Sequence, residues 1–174
     1  PIIGCEVYVA KGSRFQKDRS SGMGQYNHLV LIAQNYQGYK NLMKIVTYGY
    51  LEGFYYKPRI DTEILKKYNE GIICLSACLK GILPETLIYN GLEAGKKVAE
   101  EYSSIFPGRY YVELQNHGIP EELQNIQLAT KLAKDMNLPI IATNDAHYAK
   151  KEHYKAHDVH ICIGTGKQLS DKNR

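Results

Sequence analysis

The sequence has no tryptophan, only four cysteines, and no apolar run near the roughly 20 residues that cross a bilayer. The last of these excludes a membrane-spanning helix. The N-terminus also lacks the basic, apolar and small-residue layout of a signal peptide. The cysteines (Cys5, Cys74, Cys78 and Cys162) include no CxxC pair, since "CLSAC" is CxxxC, so a zinc knuckle is excluded. They are too sparse for a disulfide scaffold, and the reducing cytoplasm is the expected compartment. No HExxH occurs, and "GTGK" at 164–167 lacks the GxxxxGK[ST] spacing of a phosphate-binding loop. There is no initiating methionine either. The chain opens "PIIGCEVYVA" with a strand-like run under way, and it reads as a piece excised from a longer protein.

Hydrophobic residues make up 44% and charged residues 23%, an ordinary globular balance for one domain with a core. The net charge of +4 is spread along the chain, which tolerates a nucleic-acid partner without demanding one. Fifteen tyrosines suit stacking on bases or partners, and equally suit a core.

Strand-like runs recur as "IIGCEVYVA", "HLVLIAQ", "GIICLSA", "YYVELQ" and "PIIATND". Helical spacing marks "YQGYKNLMKIVTYGYLEG", "GLEAGKKVAEEYSSIF" and "PEELQNIQLATKLAKDMN", the last opened by Pro120 and an acidic first turn. The alternation predicts an α/β fold with parallel strands. The loop from Lys11 to Gln25 reads as a mobile insertion.

Each strand carries a residue of metal-ligand type. Glu6 interrupts the first, His28 opens the second, Cys78 follows the third, Glu113 sits inside the fourth, and Asp145 and His147 close the last. A lone strand-end histidine is most often a satisfied structural one. Five such strands are different, because parallel barrels gather their chemistry at the C-terminal strand ends. Glu, His, Cys and Asp together suit Zn²⁺ or Mn²⁺. Glu113 and His117 stand near the same end, where they would orient a ligand or simply make structural hydrogen bonds. His153, His157 and His160 lie on one helical face and read as solvated or packing histidines. Cys5, Cys74 and Cys162 read as core.

The segments "PIIGCEVYVA", "YYKPRID", "LSACLKG", "YYVELQNHG", "PIIATNDAHY" and "ICIGTGKQLSD" resemble, in order, the PHP (polymerase and histidinol phosphatase) domain of bacterial DNA polymerase III alpha subunits. That resemblance implies an irregular TIM-like barrel with a metal cluster, here a single partial domain over residues 1–174. It implies Glu6, His28, Cys78, Asp145 and His147 as ligands, and Lys57 and Arg59 as a basic pair that meets phosphate or holds loops. The family's opening HxH motif is absent, so the ligand set is partial. The first strand is missing with it, so the barrel is incomplete. Its exposed sheet edges would favour a homodimer or strand swap.

The implied function is metal-dependent phosphodiester hydrolysis, a 3′→5′ exonuclease, in the intact protein and not in this piece alone. The parent would be a DNA-directed DNA polymerase using Mg²⁺, with DNA and other replicase subunits as partners. One alternative is the same domain as a non-catalytic scaffold for the polymerase core and its partner subunits. Another is a stand-alone phosphatase of a small phosphate ester, against which "LSACLKG" and "ICIGTGKQLSD" speak.

Overall fold

The computed structural model describes residues 1–17 and 25–171. Residues 18–24 of the expected Lys11–Gln25 insertion lie outside the described residues. The chain packs as two compact units, residues 1–143 and 144–174.

The first unit holds strands β1 (Gly4–Ala10), β2 (Tyr26–Ala33), β3 (Phe54–Tyr55), β4 (Lys57–Ile60), β5 (Ile72–Leu75), β6 (Tyr110–Leu114) and β7 (Ile140–Ala142). Its helices are α1 (Tyr36–Leu51), α2 (Thr62–Tyr68), α3 (Ile82–Asn90), α4 (Leu92–Ile105) and α5 (Pro120–Asp135). Among the described residues these strands form one sheet in the order β3-β4-β1-β2-β5-β6-β7. The second unit holds a 3-10 turn (Lys151–His153) and helix α6 (Tyr154–Thr165). No described helix is long and apolar enough to cross a membrane.

The architecture is mixed α/β, as expected, but the strands are not uniformly parallel. β1–β4, β5–β6 and β6–β7 are parallel, whereas β1–β2, β2–β5 and β3–β4 are antiparallel. The physical reason is the connection. Parallel neighbours need a long crossover, usually helical, and the segment between β1 and β2 holds no helix among its described residues.

Burial alternates along β1 and β2 with period two. Val7, Val9, Leu29 and Leu31 point into the core, against Leu42 and Ile45 of α1 and the buried faces of the other helices. Glu6, Tyr8, His28 and Val30 lie on the opposite face and are half-buried or exposed. On the core side Tyr102 of α4 stacks on Tyr110 of β6, with ring centroids 5.7 Å apart.

Two helix starts follow local chemistry. Asn35 caps α1 by accepting from the Gly38 N–H at 2.9 Å, and Asp61 caps α2 by accepting from the Ile64 N–H at 3.3 Å. The final strand is shorter than its sequence reads. β7 stops at Ala142 at the sheet edge, so Asp145 does not end a strand; it takes a left-handed φ of 44° in the second unit.

Candidate metal centre

The antiparallel register of β1 and β2 sets Tyr8 opposite His28 and Glu6 opposite Val30. Residues directly opposite share a face, and so do residues two apart on one strand. Glu6 and His28 therefore project the same way. His28 sits near the start of its strand rather than at a C-terminal end. Because β2 runs against both β1 and β5, its start lies at the end where those two strands finish.

The third side chain arrives on the turn after β5. His28 N–H donates to the Lys80 carbonyl at 2.9 Å, and Gly81 N–H donates to the Cys78 carbonyl at 2.7 Å. A Cβ at Gly81 would run into the Ser76 carbonyl, so this close turn requires glycine. Ala77 carries a left-handed φ of 65°, a costly conformation for a residue with a Cβ. It is held by buried Glu113, whose Oε2 accepts from the Ala77 N–H at 2.9 Å. Glu113 N–H in turn donates to Ser76 Oγ at 2.8 Å. The remaining carboxylate oxygen accepts from Gln115 Nε2 at 3.2 Å and from the Thr143 hydroxyl. Glu113 thus fixes the turn that presents Cys78.

The ligand atoms of Glu6, His28 and Cys78 all lie within 4.8 Å of one another. His28 Nδ1 is 3.0 Å from Glu6 Oε1 and 3.7 Å from Cys78 Sγ. Tetrahedral zinc with bonds of about 2.0–2.3 Å separates its ligands by about 3.3–3.8 Å, so this mixed O/N/S set could hold such an ion after a small opening at Glu6. The contact with Cys78, then that with Glu6, raises the His28 pKa to about 9. Among the described residues, no other group of three or more His, Cys, Asp or Glu side chains brings its ligand atoms together.

Other expected residues have different settings. Asp145 and His147 are exposed in the second unit, where His147 Nδ1 lies 2.7 Å from the Asp145 carbonyl. The His147 ring packs at 5.7 Å from that of His157. His117 pairs with Glu122 at the start of α5, with ring Nδ1 2.6 Å from Glu122 Oε1 and backbone N–H donating to Oε2 at 2.6 Å. Arg59 is buried and donates to the carbonyls of Gly53, Arg14 and Gln16 at 3.3, 3.4 and 2.9 Å, so it holds loops. Lys57 is exposed, with Nζ 5.7 Å from the Tyr8 ring centroid.

Sequence reasoning missed the aromatic surround of His28. Tyr26 stacks parallel to it with centroids 6.0 Å apart, and Tyr8 meets both rings edge-on at 5.3 and 4.6 Å. The signal was present, since Tyr8 is two residues after Glu6 and Tyr26 two before His28.

A sequence profile described as the PHP domain matches residues 1–117. DNA polymerase III subunit alpha of Borreliella burgdorferi is 43% identical over 174 residues, covering 100% of this chain and 15% of that protein. The Treponema pallidum protein of the same name is 44% identical over 174 residues, covering 99% of the chain and 15% of its own length. The Thermus aquaticus protein is 43% identical over 175 residues, with 100% and 14% covered. The chain thus spans about 15% of the length of these curated relatives.

Proposed function

The chain belongs to the PHP domain family, and we propose that in it Glu6, His28 and Cys78 hold a Zn²⁺ or Mn²⁺ ion that serves phosphodiester hydrolysis. The observation that carries this reading is the convergence of an oxygen, a nitrogen and a sulfur ligand within 4.8 Å at one end of the sheet. When bound, such an ion polarises a phosphoryl oxygen and lowers the pKa of a bound water. The chain's own contribution is positional. Glu6 and His28 are fixed by strand register, Cys78 by the turn that Glu113 holds, and exposed Lys57 is available to a phosphate. The family resemblance alone would add Asp145 and His147 as ligands in the complete protein.

Identity of 38–44% to DNA polymerase III alpha subunits across the chain supports placing it within such a polymerase. On this reading the full protein acts in DNA replication in the bacterial cytoplasm. Its partners are DNA and other replicase subunits, its polymerase centre uses Mg²⁺, and its PHP domain removes nucleotides from 3′ ends. The sheet ends on two edge strands, β3 and β7, and an unpaired edge of this kind is what this chain alone would dimerise through.

A second reading makes the domain a non-catalytic scaffold. It is favoured by the engagement of Glu113, His117 and Arg59 in bonds that hold the fold rather than a substrate. Metal analysis of the full-length protein decides between them. Stoichiometric Zn or Mn, lost in Glu6→Gln, His28→Ala and Cys78→Ser, together with nucleotide release from a labelled 3′ end, is expected. Retained metal without release leaves the scaffold. Absence of metal sinks the hydrolytic reading, as does release that survives replacement of Asp145 and His147 by Ala.

A further inference from the structure

Beside the three ligand residues lies an open cavity of about 570 Å³ lined by Tyr26, Asn27, Tyr56, Lys57, Lys80 and Tyr89. Its size falls within the range of small-molecule sites. We propose that this groove seats a nucleotide of a single nucleic-acid strand, with a base stacked on tyrosine and its phosphates met by Lys57 and Lys80. The proposal rests on the hydrolytic reading above and names the part of the site that would hold its substrate.

Three observations carry it. The first is position. Lys80 follows Cys78 by two residues, and its carbonyl accepts the His28 N–H at 2.9 Å. Tyr26 stacks on His28 itself at 6.0 Å. A strand lying in the groove would therefore bring a phosphodiester toward Glu6, His28 and Cys78.

The second is the lining chemistry. Tyr56 and Tyr89 are 59% and 76% exposed, so their rings are open to a planar partner. Tyr56 reaches its place with a left-handed φ of 59°, a conformation disfavoured for a side chain of this size. Aromatic faces beside lysines form a platform for unpaired bases and a track for their backbone. Glu85, the acid of the lining, is already paired with Lys11 at 2.7 Å, which leaves the two lysines to set the charge of the groove.

The third is an unmet polar atom. Asn27 is 3% exposed, and its Nδ2 donates both to the Lys80 carbonyl at 3.1 Å and to Glu85 Oε2. Both partners are acceptors, so they fix the amide orientation. Oδ1 is then left without a donor among the described residues. Buried polar atoms are seldom left so, and Oδ1 is closed off by its neighbours, so an exocyclic amine or ring N–H of a base becomes its donor where the groove wall at Asn27 gives way.

The test is fluorescence anisotropy of labelled oligo-dT with the full 174-residue chain in EDTA. Hydrolysis is then absent, and failure of the groove is separable from failure of the hydrolytic reading. Tyr56→Ala and Tyr89→Ala are each expected to weaken binding by about 5- to 150-fold. Lys57→Ala should flatten the log–log salt dependence by about 0.7. Tyr36→Ala, at an equally exposed tyrosine outside the groove, should bind as wild type. Circular dichroism shows that the variants are folded. Free dTMP competes if one nucleotide fills the groove and fails to compete if a longer strand spans it; both support the proposal. Wild-type affinity in Tyr56→Ala and Tyr89→Ala overturns it, as does duplex bound as tightly as single strand, or no binding of either ligand.

Discussion

Glu113 shows how a residue can serve a site without touching it. Its carboxylate accepts the Ala77 N–H at 2.9 Å and is further occupied by Gln115 and Thr143. Replacing Glu113 by Ala leaves buried donors without acceptors, each costing about 1–3 kcal/mol. It also releases the left-handed turn that presents Cys78. We expect Glu113→Ala to lower the thermal midpoint and to weaken Zn²⁺ binding by about 10- to 100-fold. Calorimetric titration measures the second effect, and unchanged metal affinity would remove Glu113 from this positioning role. At this scale the sequence was only partly legible. The ligand types of Glu6, His28 and Cys78 stood out against apolar strands. For Glu113 and Arg59 the sequence offered two roles each without choosing, because Ala77, Arg14 and Gln16, which decide between them, lie far away in the chain. Arg59 reads as meeting phosphate or as holding loops, and its guanidinium is spent on the carbonyls of residues 14, 16 and 53, which is the second of these roles.

Elements were the most legible level. Helices α1, α4 and α5 follow the spacing of their apolar residues, and α5 begins at Pro120 as its composition predicts. Helix α3 was not foreseen, since "ILPETLIYN" is too apolar throughout to show a face. β7 was over-read. An edge strand paired on one side needs only three residues, and the apolar run "PII" gave no sign of where pairing stops. The packing of α1 rests on a close approach that sequence shows only as two glycines. A Cβ at Gly38 would strike the carbonyl of Gly71, on the loop that enters β5. We expect Gly38→Ala to destabilise the protein by about 1–3 kcal/mol, read from denaturant unfolding. A change within 0.5 kcal/mol would mean that helix and loop separate easily.

For the whole molecule, two carboxyl groups set the response to acid: Glu122, which holds the turn into α5, and Glu85, which ties Lys11 and Asn27 to α3. Burial raises the Glu122 pKa, but hydrogen bonds from the His117 ring and the His117 and Ile119 backbone outweigh it and lower the pKa overall. Burial likewise opposes a lowering of Glu85 by Lys11 and Asn27, and again the partners win. A depressed carboxyl binds fewer protons in the folded than in the unfolded state. Its contribution is therefore complete above the ordinary glutamate value of about 4.3, and is lost as pH falls through the folded value. The thermal midpoint should fall from about pH 4.3 downward, with a shallower slope in Glu122→Gln. Equal slopes would show that this pair does not govern the acid limb.

By itself the sequence determined the alternation of strands and helices, the membership in the PHP family and the chemical types of the candidate ligands. These are written in local periodicity and in short motifs, which need no partner to be read. Only the tertiary structure decided the direction of β2, and with it the meeting of His28 with Glu6 and Cys78. It also assembled the tyrosine and lysine groove beside them from residues 26, 56, 57, 80 and 89. Strand direction and surface neighbourhood come from contacts between segments distant along the chain, and no local pattern encodes a contact whose partner lies fifty residues away.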